Sequence, residues 1–208
     1  MRKWGVRMIK TIIFDLGKVI IPFDFKRGYT RMAPLCGYTA EEIPKRLSTS
    51  DLVTRFETGA MEPQAFVNEL SAILGIESDY DQFCDIWTSI FLPETLISEE
   101  FVKALRRKYR MLVLSNTNAI HFEMVWKAYP ILHQFDDYVL SYKVGALKPS
   151  PLIYREAIRK AQCAPEQCFF TDDIAAYVEG ARQEGIDAVQ FENAAQIERE
   201  LQNRGISW

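Results

Sequence analysis

Three short stretches of this chain place carboxylates, a hydroxyl and amides directly after apolar runs, and a lysine stands in a loop between two of them. Asp15 follows the run from Lys10 to Phe14, and Gly17 comes next but one. Ser115-Asn116-Thr117-Asn118 follows Met111 to Leu114. Asp172-Asp173 follows Cys168 to Thr171, and Lys148 lies within Gly145-Ala146-Leu147-Lys148-Pro149. Brought to one crevice, these residues would gather three carboxylates, a hydroxyl and an ammonium. Carboxylates held together raise one another's pKa unless a cation lies between them. A few hard oxygen ligands suit Mg2+, which keeps several waters and commonly binds with a substrate phosphate. Lys148 and Ser115 would supply charge and donors to phosphate oxygens. Asn116 would add a backbone N–H at a strand-to-helix turn, a favourable place for an anion. A carboxylate there can attack phosphorus and form an acyl-phosphate, with the cation as Lewis acid and template.

Taken singly, each piece has an ordinary role. An Asp after a strand is a turn residue, Ser-Asn-Thr-Asn is a helix cap, a Lys before Pro is solvated, and an Asp pair opens the next helix. Order and placement distinguish the set. Apolar runs at Lys10–Phe14, Met111–Leu114, Asp137–Leu140, Cys168–Thr171 and Asp187–Gln190 alternate with helical patterns. Those helices run from Ser98, as cap, to Lys108, from Ala119 to Ala128, from Pro151 to Ala161 and from Ala175 to Glu184, with a terminal helix last. Such alternation predicts an α/β fold, a doubly wound parallel sheet whose ligands bind beyond the carboxyl ends of its strands.

The stretch from Phe23 to Pro93 breaks this rhythm. It holds amphipathic segments between turn signals, with Pro63 opening a helix to Leu74 along a Phe66, Leu70, Ile73 stripe. It reads as a small helical domain inserted after the first strand. The predicted division is therefore a core of residues 8–22 and 94–208 with a cap of residues 23–93.

The bulk properties fit a globular domain of this kind. Of 208 residues, 48% are apolar and 25% charged, enough chain to bury roughly 70% of its unfolded surface. Lys plus Arg is 25 against 28 Asp plus Glu, a net charge of −3. That balance disfavours non-specific nucleic-acid binding, which needs many neutralised phosphates. No apolar run approaches the length of a membrane span. Cys36, Cys84, Cys163 and Cys168 match no zinc spacing and read as reduced thiols of a cytoplasmic protein. Met1 to Arg7 reads as an extension, with Met8 as an alternative start.

On these residues the chain resembles the haloacid dehalogenase-like hydrolase superfamily, over roughly Ile9 to Glu192. Phe14-Asp15-Leu16-Gly17-Lys18-Val19-Ile20 resembles its first motif, Leu112-Val113-Leu114-Ser115-Asn116 its second and Lys148 before Pro149 its third. Phe169-Phe170-Thr171-Asp172-Asp173, with Glu179-Gly180-Ala181 in the helix behind, resembles its fourth. Within the superfamily the wording is most similar to bacterial sugar-phosphate phosphatases of the α-glucose-1-phosphate type and to the phosphatase domain of soluble epoxide hydrolases. The resemblance implies a Rossmann-like core with a helical cap and a Mg2+-dependent phosphatase of a small phosphorylated metabolite, with a sugar phosphate expected. It implies Asp15 as nucleophile, Ser115 and the Asn116 N–H as phosphoryl donors, and Lys148 neutralising nucleophile and phosphate. Asp15, Asp173 and the Gly17 carbonyl would bind Mg2+, with Asp172 orienting Lys148.

Two positions depart from the family pattern. Gly17 stands where most such phosphatases carry a second Asp, the general acid, whose contribution is typically about 10²–10⁴-fold. Asp24 and His121, near Asp15 and Ser115 in sequence, are candidate substitutes. Alone, Asp24 reads as a helix cap and His121 as a polar residue of a first turn. Tyr177 stands where relatives often have Asn or Asp, either weakening the metal's outer contacts or packing. Two other readings stay open: a metal-free 2-haloacid dehalogenase, against which Asp172-Asp173 argues, and a phosphate-binding protein without turnover. Tyr29, Arg31, Arg46, Arg55, Phe56 and Trp87 are candidate substrate contacts of the cap, with core and solvated surface as their default.

Overall fold

The computed structural model describes residues 8–208, and the extension read at Met1–Arg7 lies outside them. Strand β1, Thr11–Phe14, is buried at all four positions, as a strand covered on both faces must be. The others are β2 (Arg110–Ser115), β3 (Asp137–Leu140), β4 (Cys168–Asp172) and β5 (Asp187–Gln190). All pair in parallel, in the order β3-β2-β1-β4-β5. β1, which carries Asp15 at its end, is thus central, flanked by the strands that lead to Ser115 and Asp172.

Alternating side chains divide between two cores, because successive strand residues point to opposite faces. Ile12, Phe14, Met111, Val113 and Phe169 meet helices α6 (Glu99–Arg106), α7 (Ala119–Ala128) and α11 (Ala194–Asn203). Ile13, Leu112, Leu114 and Phe170 meet α9 (Pro151–Ala161) and α10 (Ala175–Gln183). The helices begin where their caps lie. Ser98 Oγ accepts from the Phe101 N–H at 3.1 Å, and Asn118 Oδ1 from the His121 N–H at 3.0 Å. The chain ends α6 two residues before Lys108, where the backbone turns to feed β2, and ends α10 one residue before Glu184. A single turn, α8 (Ser141–Val144), follows β3 and closes on Gly145 at φ 78°. Its four residues are too few for a periodic signal.

The regular elements within residues 25–90 are all helical. Helices α1 (Phe25–Met32), α2 (Ile43–Leu47), α3 (Leu52–Glu57), α4 (Pro63–Leu74) and α5 (Tyr80–Trp87) precede a 3-10 turn, Thr88–Ile90. They enclose an apolar cluster of their own, in which the Phe56 and Phe66 rings stack 4.1 Å apart and Phe83 and Trp87 pack on them. Pro63 opens α4 and Gly75, at φ 67°, closes it. The chain leaves and re-enters the sheet domain side by side: the Asp24 N–H bonds Ile90 O at 2.9 Å and the Leu92 N–H bonds Pro22 O at 3.0 Å. Beyond this stem the block meets the sheet side through α7 and α8, and His121 of α7 lies 3.2 Å from Trp87 O. Ile120 of α7 enters the block's core. Gly59, at φ 70°, presses on α8 so closely that a Cβ would lie 2.0 Å from Tyr142 O. Only a glycine fits both the backbone angle and the gap.

Among the described residues no helix is long and apolar enough to cross a membrane. All four cysteines are free thiols.

Candidate active site

The strand register builds the centre of the site. Phe14 pairs with Val113 on one side and Thr171 on the other, so the next residues, Asp15, Leu114 and Asp172, form one row at the sheet's carboxyl edge. Lys148 lies across that row. Its Nζ is 2.7 Å from Asp15 Oδ1, 2.5 Å from Asp172 Oδ2 and 3.3 Å from Leu114 O. All three polar side chains are buried.

Lys148 reaches the row because Asn116 clasps its backbone. The Lys148 N–H donates to Asn116 Oδ1 at 2.8 Å, and Asn116 Nδ2 donates to Lys148 O at 3.2 Å. Asn116 Nδ2 also lies 3.4 Å from the Tyr177 hydroxyl. Tyr177 presents its ring to the ammonium, 5.1 Å from Nζ, with Phe170 at 5.7 Å. It is held by the Tyr154 hydroxyl, which donates to its carbonyl at 2.7 Å. Tyr177 therefore walls the lysine in. Gly180 lets α10 come this near, since a Cβ there would meet Tyr154 at 2.9 Å and Pro149 at 3.0 Å.

Carboxylate oxygens of Asp15, Asp172 and Asp173 lie within 4.8 Å of one another. Burial raises Asp15 most; Lys148 pulls it down and Asp172 pushes it up, leaving it at about 7. Burial and the neighbouring Asp172 also raise Asp173, against the pull of Lys18 and Lys148. Burial works against the Lys148 charge, yet Asp15 and Asp172 together hold its pKa above the ordinary lysine value. Three carboxylates against one ammonium leave net negative charge on hard oxygen donors, which suits a small divalent cation. Asp172 is the member already engaged, by Lys148 and by the Ile174 N–H at 2.9 Å. Asp15 and half-buried Asp173 have oxygens to spare for a metal.

Leu16 and Gly17, which follow Asp15 in the chain, help to line a cavity of about 70 Å³. Its floor comes from the sheet domain, including Leu16, Gly17, Ser115 and Asn116. Its roof comes from the stem and helical block, with Phe23, Phe25, Ile90 and Glu57. Ser115 Oγ makes only a long contact, 3.3 Å, to Asn116 O. Gly17 is glycine for a visible reason: a Cβ there would lie 2.6 Å from Phe23 Cε1.

The structure gives the two candidate proton donors other partners. Asp24 is exposed and caps α1, accepting from the Lys26 N–H at 2.9 Å, and it does not reach the cavity. His121 does line it, but its Nε2 is 3.2 Å from Trp87 O and its Nδ1 3.1 Å from Asn118 Nδ2. Both nitrogens are spoken for, and burial, only partly offset by the Trp87 carbonyl, pushes the ring's pKa down to about 4. It is a neutral structural histidine. The candidate substrate contacts of the block also turn elsewhere. Phe56 and Trp87 are core, Arg46 covers Tyr38, Arg31 bonds Asp85 O, Arg55 pairs with Glu69, and Tyr29 stacks on Phe25. The block residue that sequence reasoning missed is Glu57. Its signal was position, at the helix end just before the glycine turn that touches the sheet domain.

The fold is shared with known proteins. The chain is 27% identical to a D-ribitol-5-phosphate phosphatase of Bacteroides thetaiotaomicron, over 93% of this chain and 97% of that protein. It is also 27% identical to a phosphatase of Mycobacterium tuberculosis, over 95% of each chain. A haloacid dehalogenase-family enzyme of Bacteroides thetaiotaomicron, crystallised with magnesium and inorganic phosphate, superposes with a TM-score of 0.82 at 26% identity. That match covers 89% of this chain and 96% of the other. The family profile of haloacid dehalogenase-like hydrolases matches residues 9–185, and the chain belongs to that family.

Proposed function

We propose that this hydrolase is a Mg2+-dependent phosphatase of a small phosphorylated metabolite, a sugar or polyol phosphate, acting through a phospho-aspartyl intermediate on Asp15. The observation that carries the reading is the row Asp15–Lys148–Asp172 with Asp173 beside it, while the neighbouring Leu16, Gly17, Ser115 and Asn116 line a small cavity. The relatives named as phosphatases, one for ribitol 5-phosphate, support it. So does the structural relative that holds magnesium and phosphate. Halide displacement would use a carboxylate nucleophile but no divalent cation, so the surplus of carboxylates around Lys148 favours the phosphatase.

Mg2+, held by Asp15, Asp173 and the Gly17 carbonyl, would offset the charge of the phosphoryl group. Asp15 supplies the attacking oxygen, and burial beside Lys148 keeps it fixed. Lys148 keeps Asp15 and Asp172 apart and adds positive charge beside the transferring group. The Ser115 hydroxyl and the Asn116 backbone N–H donate to phosphoryl oxygens, as preorganised donors aimed at developing charge. The helical block, residues 23–93, acts as a cap over the core, and its small cavity favours a small leaving group and excludes water.

The test is hydrolysis of p-nitrophenyl phosphate and a panel of sugar and polyol phosphates with Mg2+ and with EDTA, beside Asp15→Asn. Turnover should require Mg2+ and vanish in Asp15→Asn. Metal-independent halide release from 2-haloacids, with no phosphate hydrolysed, would replace the phosphatase by a dehalogenase.

A further inference from the structure

We propose that Glu57 is the general acid and base of the reaction, supplied from the helical block in place of the side chain that Gly17 lacks; this rests on the phosphatase reading above. A leaving alkoxide needs a proton, and the neighbourhood of the nucleophile offers few sources. Gly17 has no side chain, and Phe23 fills the space one would take. Of the other residues lining the cavity, only His121 titrates, and both its nitrogens are engaged. Glu57 lines the same cavity as Gly17, Ser115 and Asn116.

Its placement is built rather than accidental. Glu57 ends α3, anchored by Phe56, which is 1% exposed in the block core. Two residues on, Gly59 packs on Tyr142 O, so the end of α3 is pinned to the sheet domain. The charged groups of the elements around it are turned away. Arg55 reaches Glu69 and Asp51, and exposed Lys143 of α8 lies over the Tyr142 ring. Burial alone, with no cation or hydrogen bond to oppose it, pushes the Glu57 carboxyl up to about 7. That is where an acid that must also act as a base works best at neutral pH.

In the first step an Asp15 oxygen bonds phosphorus, and the phosphorus–ester oxygen bond breaks with its electron pair going to the leaving oxygen. The Glu57 proton passes to that oxygen, giving a neutral alcohol and the Glu57 carboxylate. In the second, Glu57 takes a proton from water as the water oxygen attacks phosphorus. The bond from phosphorus to the Asp15 oxygen breaks, restoring the Asp15 carboxylate, protonated Glu57 and free inorganic phosphate.

Rapid-quench kinetics of the full chain with Mg2+ tests this in Glu57→Gln and Glu57→Asp. p-Nitrophenyl phosphate can release p-nitrophenolate without a proton, whereas the alkoxide of ribitol 5-phosphate needs one to leave. Glu57→Gln should therefore keep a one-equivalent burst of p-nitrophenol at near-native rate, followed by a slowed steady state. On ribitol 5-phosphate it should lose about 10²–10⁴-fold in the first step as well. Glu57→Asp should recover part of the loss. Thermal melts at pH 8 should place Glu57→Gln at or above the native protein, since a buried carboxylate is removed, so that lost turnover is not lost folding. Turnover of Glu57→Gln within a few-fold of native on the alkyl phosphate would overturn the role while leaving the phosphatase intact. Equal loss of the burst and of alkyl-phosphate turnover would also overturn it. A native protein that turns over no phosphate would overturn both readings.

Discussion

Gly17 and Phe23 are best understood as one unit. The ring edge lies where a residue-17 side chain would begin, and it is held there by Phe25 and Phe91 at centroid distances of 4.9 and 6.2 Å. Gly17→Asp should therefore not create a working acid. Overpacking of this kind costs roughly 1–3 kcal/mol, or a Tm lower by about 2–4 °C per kcal/mol at this size. The penalty should be non-additive with Phe23→Ala in a double-mutant cycle read by thermal denaturation. His121 makes a second prediction. The unfolded chain takes up its proton near the ordinary histidine value of 6.5, whereas the folded protein does so only near 4. Stability should be unaffected by this group above 6.5 and should fall as pH drops from 6.5 towards 4, by up to about 3 kcal/mol. Denaturant titrations at pH 7 and pH 5 should show that loss in the native protein, and a smaller one in His121→Asn.

At the scale of elements, the contact between α3 and α8 decides whether the roof meets the floor. Gly59→Ala adds a Cβ 2.0 Å from Tyr142 O at a backbone angle that disfavours side chains. It should cost about 2 kcal/mol or more and should lower turnover beyond what the melting shift explains, because Glu57 moves with the turn. Activity measured well below the melting transition checks this. The elements differ in how openly the sequence declares them. The five strands were legible because buried parallel strands are short unbroken apolar runs, and the residue after each run falls at the edge where ligands bind. Asp15, Ser115 and Asp172 could therefore be grouped without coordinates. The helical block was legible as helices, but not as a wall. Which residue looks into the cavity depends on how the block docks on the sheet, through contacts such as those of Gly59 and Ile120 that join residues far apart in the chain. Arg55 and Glu57 look equally available in sequence, yet one turns to Glu69 and the other to the site. For the same reason Tyr177 read as a departure, and only packing shows it walling Lys148.

For the molecule as a whole, net negative charge at the crevice is the organising fact. Lys148 balances part of it at the cost of a buried ion pair, and truncating one partner of such a pair costs roughly 3–5 kcal/mol. Lys148→Met should therefore lower stability as well as abolish turnover, which denaturant unfolding and a phosphatase assay read separately. A bound cation should balance the rest, and ligands that bind only the folded state stabilise it by mass action, about 2.7 kcal/mol at a hundredfold excess over Kd. Mg2+ should raise the Tm of the native protein and raise it much less in Asp173→Asn. Phosphoryl transfer to Asp15 is read by acid-quenching native enzyme during turnover of p-nitrophenyl phosphate with Mg2+ and mapping the modified peptide by mass spectrometry. One phosphoryl group on Asp15, absent in Asp15→Asn and absent with EDTA, is the predicted result. Steady turnover with no phosphorylated aspartate, or with the label on another residue, would contradict the account.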